Sequence, residues 1–355
     1  MPELTSYFND FLSDIRPTET QMDDCQTGHK TLRDRLKEYD GLKDIIVTDF
    51  LQGSYARSTA IKPQNDNKLD VDIVVVTNID ESKYTPQQAF DLFKPFLEKY
   101  YEGKYKPQGR SWGIELSYVD LDLVITSAPS EIEKFVFFKK GITEYGSIEG
   151  IFSRKESDIM KLSSELEKWK AKPLRIPDRE LKTWNDTNPP EQSKWTIKKN
   201  EKCNGNYVNL VKAIKWWRIN KYPEQEYPKS YPLEHIIGHC CPDNISSVAE
   251  GVVLMSNSII EDFSGSVKKE AVPILEDHGT DQNVLKRLTF KDFNLFYEQV
   301  KKMYGVAKKA YEETDAVKSA KLWYEIFGEP FPKPDDKGGY TPREKVSIIG
   351  GGRFS

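Results

Sequence analysis

The chain has 355 residues, enough for two closely packed lobes with a substantial core. Charged residues make up 30% and the formal net charge is −4, so no basic excess exists to coat a nucleic acid, and no stable nucleic-acid partner is expected. No apolar run reaches the ~18 residues of a membrane span, and the N-terminus lacks a basic stretch followed by an apolar core. A cytoplasmic protein with no membrane partner is expected, with Cys25, Cys203, Cys240 and Cys241 reduced.

Residues 1–50 read as mostly helical. Leu32, Leu36 and Tyr39 recur at helical spacing, which predicts a helix over 31–42 packed behind a sheet. Residues 51–130 alternate strand and helix. They open with QGSYARSTAIKPQNDNKLDVDIVVV, from Gln52 to Val76. Asp70 and Asp72 lie two apart on an otherwise apolar strand, so they share one face while Val71 and Ile73 share the other. Two like charges there repel and are costly to desolvate. A hard divalent cation such as Mg2+ relieves both problems. About 16 residues upstream, the Gly53–Ser54 turn offers small residues and backbone N–H groups that suit phosphate. Carboxylates for metal beside a phosphate-holding turn point to phosphoryl or nucleotidyl transfer.

Such a site needs a third carboxylate. The spacing predicts one helix over 87–101, with Ala89, Leu92, Phe93, Phe96 and Leu97 inward, and then one long strand over 113–126. On that reading Asp120 and Asp122 share a face with Ile114, Leu116 and Tyr118. Asp122 is the favoured ligand, because Leu123-Val124-Ile125 follows it as Ile73-Val74-Val75 follows Asp72. Asp120 is then a solvated rim residue. Residues 131–200, rich in Lys, Glu, Pro and Trp, read as irregular structure bridging two lobes, with the character of a lid. Residues 207–331 read as almost all helix, broken at Pro223, Pro228, Pro232 and Pro273. Lys212 and Lys215 lie about one turn apart there, with Lys212 assigned to a solvated face. His235, His239, Cys240 and Cys241 have some features of a zinc site, but their neighbours Leu233, Ile236 and Ile237 form an apolar face, and packing is the preferred reading. From residue 333 the apolar periodicity stops, and 333–355 reads as a flexible tail.

The blocks LQGS, RSTAI, VDIVVVTN and DLVI, with AIKWWR, KSYPLE, NVL and IFG further on, resemble the DNA polymerase β-like nucleotidyltransferases. More narrowly they resemble the bacterial relatives of the DNA sensor cGAS and of oligoadenylate synthetase, the CD-NTases, and in wording clade D. The resemblance implies an α+β chain: a nucleotidyltransferase core of mixed sheet and helices with its bridging segment (1–200), an all-helical C-terminal lobe (201–332) and the tail (333–355). It implies an enzyme joining nucleoside triphosphates into a cyclic oligonucleotide second messenger, an adenine-containing trinucleotide, in anti-phage (CBASS) signalling. By the same resemblance Asp70, Asp72 and Asp122 hold two Mg2+ ions, with Mn2+ an alternative. Gln52, Gly53 and Ser54 contact nucleotide from the core, and Lys215 and Ser230 contact the triphosphate from the opposing lobe. Ser230 also suits a helix N-cap, with Glu234 near the capping-box position. Tyr55, Trp184 and Trp195 are candidates to stack on bases. The implied partners are ATP and a second NTP, an effector reached through the product, and a ubiquitin-transfer-like (E1/E2-like) enzyme acting on the tail. A linear oligoadenylate or RNA-tailing enzyme on the same core is the alternative, and the balanced charge speaks against its long basic groove.

Overall fold

The computed structural model describes residues 4–65, 67–128 and 173–334. A seven-stranded sheet forms the first lobe. Its strands are β1 (Ile46–Gln52), β2 (Asp70–Thr77), β3 (Tyr105–Pro107), β4 (Trp112–Glu115), β5 (Asp120–Ser127), β6 (Leu174–Asp178) and β7 (Thr183–Thr187). The order is β1-β2-β5-β4-β3, with β6 joining the far end of β5 and β7 beyond it. All neighbours are antiparallel except the central pair, β2 and β5, which run parallel.

The two faces of β2 follow from its parity. Val71, Ile73 and Val75 are buried with Leu121, Leu123 and Ile125 of β5. They pack on α2 (Glu19–Glu38), α4 (Pro86–Asp91) and α5 (Lys94–Tyr101) through Leu32, Phe90, Phe93 and Phe96. Asp70, Asp72, Val74 and Val76 take the other face, the two valines buried.

The second lobe is helical: α6 (Pro189–Lys202), α7 (Tyr207–Lys221), α8 (Ser230–Cys240), α9 (Val248–Lys268), α10 (Phe290–Glu312) and α11 (Ala316–Phe327). The first helix, α1 (Thr5–Ile15), belongs to its core, although the sequence reading groups it with residues 1–200. Phe8 packs edge-on against Trp323 at 5.1 Å and Phe11 sits 4.5 Å from Phe327, ring centre to ring centre.

Several expected elements differ. Residues 46–50, expected helical, belong to β1. The helix expected over 31–42 starts at Glu19, where Thr18 and Gln21 form a capping box, and ends at Glu38. The helix expected over 87–101 is two, because Pro95 has no N–H to bond back to Asp91 and its ring crowds the preceding turn. The long strand expected over 113–126 is a hairpin of β4 and β5, closed by the Leu116 N–H to Val119 carbonyl bond at 3.0 Å. Asp122 therefore lies opposite Gly113 and Asp120 opposite Glu115, and neither shares a face with Ile114. The part of 131–200 that is described forms β6, β7 and α6 in place of irregular chain, and the rest of that segment lies outside the described residues. So does the tail beyond residue 334. No helix among the described residues is long and apolar enough to cross a membrane.

Candidate active site

The parallel pairing of β2 with β5 builds the site. It sets Asp72 directly beside Asp122 and Asp70 directly beside Asp120. Carboxylate oxygens of Asp70, Asp72 and Asp122 lie within 4.8 Å of one another. Asp70 is exposed at the strand end, and partial desolvation and the charges of Asp72 and Asp122 raise its carboxyl above the ordinary range. Burial and then Asp72 push Asp122 up to about 7, against hydrogen bonds from Gln108 and Ser111. Burial also raises Asp72, although Arg57 opposes it. An all-carboxylate donor set this close fits a hard divalent cation, whose charge reverses the repulsion. Asp120, expected to be solvated, is half-buried at the start of β5 and paired with Lys68 at 2.6 Å.

The turn before the loop is shaped around this point. Gly53 opens the one-turn helix α3 (Gly53–Ala56) at φ +77°, and a Cβ there would lie 1.8 Å from an Asp72 carboxylate oxygen. Only glycine accommodates both the dihedral and the contact. Gln52 pairs with Asp72 across β1 and β2, and its side chain hydrogen-bonds the Asp72 carboxylate. The Ser54 carbonyl accepts the Thr59 N–H at 2.9 Å and the Ala60 N–H at 3.2 Å, folding the chain back under the turn.

Beside Asp70 lies a cavity of about 230 Å³, and its wall includes Ser54, Lys62, Lys68, Lys215 and Ser230. The structure thus brings Ser54, Asp70, Lys215 and Ser230 from two lobes to one place. Three lysines on one wall suit a polyanion. Lys62 and Lys68 were missed in the sequence reading. Their signal was six-residue spacing in the loop IKPQNDNK, between the two motifs that drew attention.

Other residues stand elsewhere than expected. Lys212 is 1% exposed and part of the helix core, not of a solvated face. Ser230 is the first helical residue of α8, with Lys229 at the N-cap and no side-chain cap. Glu234, expected near a capping box, is buried and accepts hydrogen bonds from Arg57 and Thr59 of the core lobe. The aromatic candidates are engaged in packing: Trp184 donates to the Tyr84 carbonyl, Trp195 stacks on His278 at 4.0 Å and Tyr55 lies 5.8 Å from His29. His239 lies against Phe263, and Cys240 and Cys241 are buried. Among the described residues, the three aspartates are the His/Cys/Asp/Glu group that brings ligand atoms together.

Residues 2–126 match the model of the Second Messenger Oligonucleotide or Dinucleotide Synthetase (SMODS) domain. The chain is 44% identical, over 99% of its length and all of the relative's, to a probable cyclic AMP-AMP-GMP nucleotide synthase of Salmonella paratyphi B. It is 43% identical, with the same coverage, to the cyclic AMP-AMP-GMP synthase of Enterobacter hormaechei. A cyclic AMP-AMP-AMP synthase of Acinetobacter is 29% identical, over 92% of this chain and 84% of that protein. The fold matches CdnG of Bradyrhizobium diazoefficiens, solved with GTP, at a TM-score of 0.68 and 13% identity, covering 92% of this chain and 96% of that one. It matches DncV of Vibrio cholerae, a cyclic AMP-GMP synthase solved with a linear intermediate, at 0.64 and 12% identity with the same coverage. With carboxylates, turn and opposing helical lobe in this arrangement, and relatives this similar end to end, the chain belongs to the CD-NTase family of second-messenger oligonucleotide synthases and is a nucleotidyltransferase.

Proposed function

We propose that this chain makes a cyclic trinucleotide from ATP and GTP, with cyclic AMP-AMP-GMP as its product, in cytoplasmic anti-phage signalling through a downstream effector. The observation that carries the chemistry is the meeting of Asp70, Asp72 and Asp122 beside a lysine-lined cavity. The choice of product is supported by the two relatives at 44% and 43% identity, a probable and a named cyclic AMP-AMP-GMP synthase. Asp70, Asp72 and Asp122 would hold two Mg2+ ions, or Mn2+ in their place. Bound there, such ions supply positive charge for the developing negative charge at phosphorus and lower the pKa of a ribose hydroxyl.

The chain's own residues do the positioning. Gln52 holds Asp72 in place. The Gly53 turn and the Ser54 hydroxyl take the β- and γ-phosphates, and Lys215 and Ser230 take the triphosphate from the opposite wall. With the α-phosphorus held so, a ribose hydroxyl attacks in line, one P–O bond forms, the bond to pyrophosphate breaks and the hydroxyl proton is lost. Two repeats on the growing product, the last within one molecule, close the ring.

The test is direct. Purified protein with labelled ATP, GTP and Mg2+ should give a phosphatase-resistant product with the mass of a cyclic trinucleotide containing two adenines and one guanine. A spectrum dominated by linear oligomers with 5′-triphosphates would overturn the reading in favour of a linear oligoadenylate or RNA-tailing enzyme.

Within the triad, Asp122→Asn should cut turnover about a thousandfold or more, since a ligand charge is lost. Asp120→Asn should stay within about tenfold of wild type, since a partly exposed ion pair at the rim contributes little. Steady-state rates of the two variants check this; the reverse ranking would place the third ligand at Asp120. Lys215→Ala should raise the KM for ATP by about tenfold or more, the scale of a hydrogen bond to a charged group, with a smaller change in kcat. Initial rates over a range of ATP concentrations decide it, and a loss confined to kcat would count against the contact.

The implied E1/E2-like partner has its own test. Deleting residues 350–355 should abolish conjugation by a co-expressed partner of that kind and spare basal synthesis. Loss of basal synthesis would show that the end of the chain serves catalysis.

A further inference from the structure

Glu234 is assigned no part in the chemistry above, yet it joins the two lobes at the cavity. Its carboxylate Oε1 accepts from the Lys215 ammonium at 2.5 Å and from the Thr59 hydroxyl at 3.0 Å, and its Oε2 accepts from Arg57 Nε at 3.1 Å. Lys215 also donates to the Thr59 carbonyl at 3.0 Å. All four residues are at most 5% exposed. Arg57 lies over the ring of Tyr231, whose hydroxyl donates to Asp277. One carboxylate therefore ties α7 and α8 to the turn that carries Gly53 and Ser54.

Glu234 meets both Lys215 and Arg57, and Arg57 is met a second time by the charge of Asp72. Lys215 forms part of the cavity wall with Ser54 and Ser230. We propose that Glu234 is the positioning residue for Lys215: it fixes the ammonium at the cavity wall and locks it to the turn bearing Ser54, so that both lobes meet a nucleoside triphosphate in register. The inference rests on Lys215 being a triphosphate contact, as proposed above.

A consequence separates this role from mere packing. The charged groups acting on Lys215 are Glu234, Arg57 and Arg218, with Asp70, Lys62 and Lys68 on the wall of the same cavity and Lys212 one turn away on its own helix. Burial draws the Lys215 ammonium below the ordinary lysine range, Arg57 and Arg218 act in the same direction, and Glu234 opposes them. With that carboxylate neutralised, Lys215 should release its proton at a lower pH than in wild type, and with it lose its hold on phosphate.

The experiment measures the KM for ATP from about pH 6 to about pH 9 in wild type, Glu234→Gln and Glu234→Gln/Lys215→Arg. For Glu234→Gln the KM should stay near wild type at the acid end and rise about tenfold per pH unit once the proton is lost. The double variant should lose that slope, because a guanidinium keeps its proton throughout the range. A KM shifted by one constant factor at every pH, or a slope that survives in the double variant, would overturn the proposal. If Glu234→Gln does not fold, Thr59→Val removes one hydrogen bond and no charge. It should raise the KM about tenfold, and an unchanged KM would overturn the proposal. Failure of the underlying reading looks different: Lys215→Ala would then leave the KM for ATP unchanged.

Discussion

Asp70→Asn/Asp72→Asn is expected to lose all measurable synthesis and to melt at a higher temperature than wild type when divalent ions are chelated. The two effects share one cause. Asp70 and Asp72 face the same point with Asp122, and the three charges repel. Removing two of them removes the ligands, so the rate should fall about a thousandfold or more. It also removes a strain that the metal-free protein carries. The pH dependence has a definite sign. Asp70 and Asp122 are both raised above their ordinary values in the folded chain, Asp122 to about 7. The folded state therefore holds protons that the unfolded state has released, and metal-free stability falls as pH rises from about 4 through about 7. Mg2+ competes with those protons, so its stabilising effect on wild type should grow over the upper part of that range. Melting curves with and without Mg2+ at several pH values test this. A double variant that folds, works and still responds to Mg2+ would end the metal assignment.

Gly53→Ala is expected to reduce the rate about a hundredfold, the scale of an ångström-level misplacement in a reacting site. The added methyl meets an Asp72 carboxylate oxygen at 1.8 Å, so either the turn or the ligand must move. Gly103 supplies the control. It has φ +70° and nothing within 4 Å of the Cβ position, so Gly103→Ala carries the backbone strain without the contact. It should lose stability and keep its rate per folded molecule. Equal losses of activity in the two variants would mean that the dihedral, and not the approach to Asp72, is what matters at residue 53.

What the sequence disclosed about the site was local. Asp70, Asp72 and Gly53 are legible because strand parity and a glycine turn act over a few residues. Asp122 was legible because the apolar run after it repeats the run after Asp72. The fold class, a mixed sheet with helices followed by a helical lobe, came through the same motifs and their family resemblance. The hairpin of β4 and β5 was hidden because its turn, Leu116 to Val119, carries three apolar or aromatic side chains and reads as strand. The burial of Lys212 and Glu234 was hidden for another reason. A charged side chain is buried only when tertiary partners compensate it, and Glu234 finds Arg57 at a separation of 177 residues. No window of sequence contains that pair.

The packing of α1 among the last helices bears on how the protein is made. Phe8 and Phe11 find their partners in Trp323 and Phe327, near the far end of the described chain. At ribosomal rates of about 5–20 residues per second, some 15–60 s separate the emergence of α1 from that of α11. For that interval α1 lacks its aromatic partners in α11 and can rest at most on α7, while the sheet, whose strands all precede residue 188, is free to assemble. The Arg57–Glu234 bridge can form once α8 is made, but the core around α1 closes only when α11 arrives. Fragments that end before α11 should therefore be silent as synthases, because α1 then lacks the rings that seat it in the helical lobe.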